Sequence, residues 1–501
     1  MSYLPKLLPY VRHGTTEGDR NFLNDVFVTP AQLASICGVE PGSMRVLVGN
    51  KGAGKSALTE WLRKAAVESK TPCVLVRPDQ LVGTGVPTAT DLATLKRFFY
   101  ETLLRSVAVE IGSQITSYLP LTSSRATLYN EAVSGGASGD IVSKAVSLIG
   151  AFAEPVTKID TAKLLNRISG RNSSAALTSA LNDHLLNKSE KLFLLLIDDT
   201  DQIAAPDDRQ QLNKIWALIL AVRRLAMECN AVRPIVTLRS SVWSRLMHEN
   251  AGQRDQVDHI RPLTVQLRAS DEVIVQIIER RMREAMKTVK VPALTPYAPF
   301  FEGQDVLLPG SKQRRLWSDF IAKSARERPR DALQLIKSMI EVAEDNTHPK
   351  IGDDDADRAM SIYSSERVDD VANEYSLDLP SVRELIESFH SSDFEMGFEQ
   401  LRDHLARSLG IAQMQLRGST LQNRDDHIIA LLALLHEVGF VNARIVDKTK
   451  PKGFAHKNYS DDPKFVRYEN WNNLQAAHWE IHPAFRSHLL NVKAAKARAT
   501  R

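Results

Sequence analysis

Eight consecutive residues, Gly49-Asn50-Lys51-Gly52-Ala53-Gly54-Lys55-Ser56, satisfy the spacing G-x-x-x-x-G-K-[ST], and that spacing suits a polyphosphate cradle. Glycines let successive backbone N–H groups curl around one anion, and a helix opening at Ala57 adds partial positive charge at the same point. Lys55 is expected to reach the β- and γ-phosphates of a nucleotide, and Ser56 to ligate Mg²⁺. A second chemical feature closes the apolar run Lys191-Leu192-Phe193-Leu194-Leu195-Leu196-Ile197, which ends in Asp198-Asp199. Asp198 is the natural Mg²⁺ partner, Asp199 stands where a water-activating carboxylate sits, and Asp201 is a further candidate ligand. An aspartate at the second position is one carbon shorter than the more common glutamate, which weighs on hydrolysis rather than on binding. Arg239 ends a third apolar run and is placed to contact a γ-phosphate.

These residues need a particular set of elements to bring them together. Met44 to Val48 reads as a short buried strand leading into the cradle, and Ala57 to Leu62 opens the helix that follows it. Six apolar residues before Asp198, and Pro234 to Leu238 before Arg239, read as strands buried on both faces of a parallel sheet. The expected fold is therefore α/β: a P-loop NTPase core with a helical lid, a helical insertion and a C-terminal winged-helix domain. Lys55 and Asp198 are 143 residues apart, which leaves room for an insertion at about 91–187. Within it, Ser134-Gly135-Gly136-Ala137-Ser138-Gly139 reads as a loop. Asn187-Lys188-Ser189-Glu190 precedes the metal strand and ends in Glu, unlike a guanine-reading motif, so ATP is expected over GTP.

The remaining boundaries follow from pattern. Residues 1–41 form an N-terminal arm, 42–262 the core, 263–365 the lid, 366–420 a helical linker, 421–491 the winged-helix module and 492–501 a basic tail. Lid helices are expected at 263–346, and further helices from Arg367 to Leu409, linked through an acidic Asp353-Asp354-Asp355 turn. Asp425 to Val438 has helical apolar spacing, and the aromatics Phe454, Tyr459, Phe465, Tyr468, Trp471 and Trp479 alternate like hairpin strands before a short final helix. That is a winged helix with a long wing.

At 501 residues, 43% hydrophobic and 25% charged, the chain has the balance of a folded, multi-unit protein and not of a disordered or disulfide-held one. No apolar run approaches the roughly 20 residues that span a bilayer, and three scattered cysteines (Cys37, Cys73, Cys229) fit a reducing compartment; no membrane partner and a cytoplasmic location are expected. Charge is uneven. Residues 441–501 hold twelve Lys/Arg against five acids, whereas the whole chain carries only +4. Lys448, Lys450, Lys452, Lys457, Lys464 and Arg467 are candidates to track DNA phosphates while a helix enters the major groove, and the same module is equally suited to bind protein. Arg12-His13-Gly14-Thr15 has the look of a phosphohistidine motif but lacks a preceding strand and a second His-Gly pair. His478 and His482, four apart, make a conceivable metal pair, with a structural role favoured by Pro483. Arg245, Arg254 and Arg261 are equal candidates for an arginine finger.

Taken together, the P-loop, the Leu195-Leu196-Ile197-Asp198-Asp199 strand and the Thr237-Leu238-Arg239 strand resemble the AAA+-related ATPases of the signal-transducing (STAND) and origin-recognition-like kind. Arg326-Glu327-Arg328-Pro329-Arg330-Asp331-Ala332-Leu333 is similar to the lid motif whose arginine senses nucleotide in that group, which makes Arg330 the candidate and Arg328 the second. Tyr363 to Pro380, Leu434 to Phe440 and Ile481 to Phe485 resemble the C-terminal part of bacterial P-loop ATPases often encoded beside antiphage defence genes. The resemblance implies an ATP- and Mg²⁺-dependent switch that forms a homo-oligomer and controls an effector protein encoded separately.

Overall fold

The structure is a computed structural model that describes residues 2–77, 91–115, 123–134, 172–186, 192–203, 211–248, 257–288, 294–309, 311, 313–411, 413–450 and 453–499. The chain divides into two units: Thr29–Leu267, and Met1–Val28 together with Arg268–Arg501. The first 28 residues of the expected arm therefore belong with the C-terminal helices and not with the P-loop strand they precede.

In the first unit, strands β1 (Arg45–Gly49), β2 (Cys73–Val76), β3 (Phe193–Ile197), β4 (Val232–Arg239) and β5 (Thr264–Gln266) form one sheet in the order β2-β3-β4-β1-β5. Every pairing is parallel. Parallel strands need crossover helices, which cover both faces of the sheet, and this is why β3 is a continuous apolar run and β4 is buried at every residue before Arg239. The register sets Gly49 opposite Arg239 and Ile197 opposite Val236, so the cradle, the acidic pair and the arginine leave the same edge of adjacent strands.

Strand β4 begins two residues before the expected Pro234. In a parallel strand successive residues bond alternately to the two neighbours, so the proline forfeits one donor while Phe193↔Val232 and Ile197↔Val236 keep the register. Part of the expected insertion is core: helix Leu92–Ser113 packs on helix Gln211–Glu228 and shares the hydrophobic cluster of the sheet through Phe98, Phe99, Leu103 and Leu104. Ser123–Ser134 and Ser174–Leu186 complete its described part, and Gly135 to Gly139 and Asn187 to Glu190 lie outside the described residues.

The second unit is helical, then winged. Helices Asp271–Lys287, Trp317–Ser324, Pro329–Asp345 and Asp353–Glu374 share one core with the short N-terminal helix Leu4–Val11, which contributes Leu4, Leu7 and Val11. A small hairpin, β6 (Asp305–Leu307) and β7 (Arg314–Leu316), precedes Trp317. Asp353-Asp354-Asp355 corrects the expected turn: the three acids are the first turn of a 22-residue helix, and Asp355 Oδ2 accepts from the Gly352 N–H at 3.0 Å. Carboxylates at a helix start satisfy its free N–H groups and its dipole, so an acidic run there nucleates a helix.

Strand β8 (Glu395–Gly397), helix Phe398–Ile411, the hairpin β9 (Gln415–Leu416) and β10 (Ser419–Thr420), helix Asp425–Glu437, β11 (Val441–Val446), β12 (Phe454–Lys457) and β13 (His478–Ile481) follow. The antiparallel order β12-β11-β13-β8 is that of a winged helix, but the aromatic stretch expected to alternate as hairpin strands holds instead a 3-10 turn at Tyr468–Asn470 and the helix Trp471–Ala476. The first strand of this sheet comes from the segment expected to be helical linker. The final helix, Pro483–Ala499, is 17 residues long and packs on Asp353–Glu374, so neither a short last helix nor a frayed tail from Lys493 describes it.

Several cations of the basic end are spent inside the module. Glu480 accepts from His456 Nε2 at 2.8 Å and pairs with Arg486, and Arg444 Nε lies 3.9 Å away. Burial alone would raise the Glu480 pKa, but the hydrogen bond from His456 and the charges of Arg486, His456 and Arg444 outweigh it and bring it to about 2. Glu480→Gln is expected to cost about 1–3 kcal/mol of stability at neutral pH. The depressed pKa fixes the sign: the advantage of the carboxylate is complete above the ordinary value of 4.5 and is lost as pH falls toward 2. Denaturant melts of both proteins between pH 7 and 2.5 check this; a deficit that stays constant over that range would show that the charge is not what stabilises the module.

Candidate nucleotide site

At the loop after β1, the backbone does what the glycines permit. Gly52 and Gly54 take φ of +82° and +94°, a region closed to most side chains. A Cβ placed on Gly54 would meet nothing within 4 Å; it would point into the open cradle. Helix Lys55–Glu68 starts at the next residue and sends its first N–H groups toward the loop. Lys55 is buried, and its ammonium donates to Gly49 O at 2.8 Å and Asn50 O at 3.0 Å. Burial lowers its pKa to about 8, with Asp201 opposing the shift and Arg239 adding to it. Gly49, Asn50, Lys51, Gly52, Ala53, Gly54, Lys55, Ser56 and Ala57 thus form one continuous loop and helix start, as their spacing predicts.

Strand β3 delivers Asp198 to the neighbouring position. It is fully buried, and each carboxylate oxygen accepts a hydroxyl: Thr237 Oγ1 donates to Oδ1 at 2.6 Å, and Thr59 Oγ1 to Oδ2 at 3.2 Å. The Thr237 hydroxyl also accepts the Asp199 N–H at 3.1 Å, and Thr200 Oγ1 donates to Thr237 O at 2.6 Å. Asp199 adopts φ of +51°, a conformation uncommon for a side chain of this kind and frequent at functional turns. Burial, then the charges of Asp198 and Asp201, raise its pKa to about 6 against the opposing Arg239 and Lys55. Arg239, at the end of β4, pairs through Nε with Asp201 at 2.7 Å and is about a third exposed. Asp201 is therefore committed to the arginine.

One unit thus gathers Lys55, Ser56, Asp198, Asp199 and Arg239. Thr59 and Thr237 are the residues that sequence reasoning gave no role; both lie within quoted motifs, one turn after Lys55 and two residues before Arg239. The donor set suits Mg²⁺, which takes one hydroxyl and one carboxylate together with phosphate oxygens and waters.

Arg330 lies in the other unit, on the second residue of helix Pro329–Asp345. The structure sorts the three arginines around it. Arg326 donates to Asp331 Oδ2 through Nε at 3.0 Å and Nη2 at 2.8 Å, and Arg328 pairs with Glu374 at 3.3 Å. Both are buried. Arg330 is half-buried, and among the described residues its guanidinium makes one hydrogen bond, from Nε to Gly14 O at 3.2 Å. Among the described residues neither of its Nη groups has a hydrogen-bond partner. Arg261 is exposed and pairs with Asp258 at 3.3 Å, Arg245 is on helix Ser240–His248, and Arg254 lies outside the described residues.

The winged module departs from the groove-reading expectation. Helix Asp425–Glu437 buries Ile428, Ile429, Leu431, Leu432, Leu434 and Leu435, and its first turn holds Asp425 and Asp426. It offers no lysine or arginine to a major groove, and its exposed polar residue, Asp426, is an acid; apolar residues are needed on nearly all its faces to fill the core. Lys457 is paired with Asp462 at 3.2 Å. Lys448 and Lys450, in the turn after β11, and Lys464 are exposed, Arg467 is half-buried, and Lys452 lies outside the described residues. The two histidines are not a metal pair on a helix: His478 is on β13, and buried His482 accepts the Ala484 N–H at 3.1 Å, its pKa lowered to about 3 by burial and by Arg326 and Arg486.

Residues 272–372 match a family model described as the FunZ-associated C-terminal helical domain. Over 491 residues the chain is 24% identical to the "putative transposon gamma-delta 80.3 kDa protein" of Escherichia coli strain K12, an alignment that covers 91% of this chain and 64% of that protein; the chain thus spans less than two thirds of its relative's length. Similar solved structures include the ORC2 protein of Aeropyrum pernix in its ADPNP–ADP complexes (13% identity, TM-score 0.36, covering 97% of this chain and 95% of that one). Cdc6p of Pyrobaculum aerophilum is another (13% identity, TM-score 0.32, covering 95% and 94%).

Proposed function

We propose that the chain is an ATP-binding and ATP-hydrolysing molecular switch whose nucleotide state controls self-assembly or an effector partner. The observation that carries this reading is the sheet edge where Lys55, Ser56, Asp198, Asp199 and Arg239 converge, with no second reactive constellation among the described residues. The loop amides and Lys55 hold the β- and γ-phosphates. Ser56 and Asp198 would hold Mg²⁺, which would neutralise charge on the phosphate oxygens. Thr59 and Thr237 fix the Asp198 carboxylate, and Asp199 orients the attacking water and accepts its proton. Arg239 registers the γ-phosphate by exchanging its Asp201 partner for it, and Arg330 responds from the lid. Binding shifts the switch only by as much as ATP contacts its two states differently. The proposed setting in bacterial antiphage defence, with a separately encoded effector in the cytoplasm, is supported by the resemblance of the C-terminal segments. Among the described residues no helix is long and apolar enough to cross a membrane.

Phosphate release from ATP tests this reading. Turnover per chain is expected to rise with protein concentration if hydrolysis is coupled to assembly, and absence of both Mg²⁺-dependent binding and turnover would refute it.

A second reading, a DNA-binding regulator, is supported by the exposed Lys448 and Lys450 of the wing and by a relative named for a transposon. Here the wing and not the buried helix touches DNA. Lys448→Glu with Lys450→Glu is expected to lower duplex affinity about tenfold or more at moderate salt and to flatten its salt dependence. Fluorescence anisotropy with labelled duplex measures this, and an unchanged affinity would remove the wing from the account.

A further inference from the structure

We propose that the N-terminal arm is a positioning element for Arg330, acting through the Gly14 carbonyl. The inference rests on the reading of Arg330 as the lid's nucleotide-responsive arginine. Four observations carry it, all within one unit. First, residues 2–28 are built onto the lid: Leu4, Leu7 and Val11 enter its core, and the buried guanidinium of Arg281 bonds Tyr10 O and the buried Asp19. Second, Arg280 fastens the far end of the arm, donating to Asp25 O and Phe27 O at 2.8 Å each. Third, between these anchors, Gly14 presents its carbonyl to Arg330 Nε at 3.2 Å. Fourth, Gly14 has φ of +56°, and a Cβ there would come within 3.3 Å of Leu333 Cδ1 and 3.5 Å of Arg330 Cγ.

An arginine anchored by Nε keeps a fixed fork, and its two free Nη groups face the same way, which is the geometry that grips a phosphate. Without the carbonyl, the long side chain would sample many rotamers and lose that alignment. The Arg12-His13-Gly14-Thr15 segment thereby gains a role in which the glycine matters and the histidine does no phosphate chemistry.

The test uses the full chain and reads the ratio of ATP to ADP affinity, with thermal melts to confirm folding. Arg330→Ala is expected to reduce the preference for ATP about tenfold. Gly14→Val, whose branched side chain disfavours positive φ, is expected to produce a similar loss, with no further loss when combined with Arg330→Ala. Gly14→Asn, which tolerates that backbone conformation but still places a Cβ 3.3 Å from Leu333 Cδ1, is expected to lose less than Gly14→Val. If Gly14→Val does not fold, Gly14→Ala is read in its place. A folded Gly14→Val, or Gly14→Ala read in its place, that keeps the full ATP preference, or losses that add to that of Arg330→Ala, would overturn the proposal. If Arg330→Ala itself leaves the ratio unchanged, the reading of Arg330 falls and the role of Gly14 with it, an outcome distinct from failure at Gly14 alone.

Discussion

Replacing Lys55 with methionine is expected to weaken ATP binding by a hundredfold or more, which corresponds to about 2.7 kcal/mol or more, and to abolish turnover. The ammonium is the one buried cation held within the loop, where Gly49 O and Asn50 O fix it. In a polyphosphate complex it would exchange those neutral carbonyls for anionic oxygens, a stronger pairing in a site with little water. Methionine keeps the stem's volume and removes only the charge. Because burial lowers the Lys55 pKa to about 8, folding works against this charge, and the variant is expected to melt no earlier than the parent. Calorimetric titration with ATP and a thermal melt separate the two effects. Binding within threefold of the parent would place the nucleotide elsewhere.

The next largest effect is expected at Asp198. Asp198→Asn should leave nucleotide bound within about threefold while lowering turnover on the order of a thousandfold, the scale of losing one oriented charge at a phosphoryl-transfer site. The neighbourhood accepts the amide without unfolding. Thr59 Oγ1 lies 3.0 Å from Ser56 O as well as 3.2 Å from Asp198, so it can keep its proton on the carbonyl and accept from Nδ2 of the new asparagine. Thr237 continues to donate to Oδ1, since the Asp199 N–H already occupies it as an acceptor. Single-turnover hydrolysis at saturating ATP measures the loss. Turnover reduced less than tenfold would show that Asp198 is not the residue through which Mg²⁺ is held.

The chemistry was the most legible part of the sequence, because a phosphate cradle demands glycines, a lysine and a hydroxyl at fixed spacing, and buried parallel strands demand unbroken apolar runs. Strand order was not legible, since β1 and β4 meet across almost two hundred residues and nothing local encodes that pairing. The hydroxyls of Thr59 and Thr237 are illegible for the same reason: Thr237 meets Asp198 only once β3 and β4 align, and Thr59 only once the helix Lys55–Glu68 packs beside the end of β3. The acidic run at Asp353 reads as a turn because the same carboxylates cap helices and populate turns, and only the face that Ala356, Ala359, Met360 and Tyr363 bury decides between them. Arg326, Arg328 and Arg330 look alike in sequence. They separate only when Asp331 and Glu374 are seen to take the first two. The groove-reading helix failed on composition already present, a leucine-rich segment opening with two aspartates, which favours the interior over DNA.

The most direct test of the switch is particle mass in solution, by light scattering of the full chain with no nucleotide, with ADP and with a non-hydrolysable ATP analogue, each with and without duplex DNA. The account predicts a larger assembly with the ATP analogue alone, unchanged by DNA and absent in Lys55→Met. A mass that is the same in all three nucleotide states, in a chain shown to bind ATP, would contradict it; growth only when DNA is also present would replace it with the regulator reading.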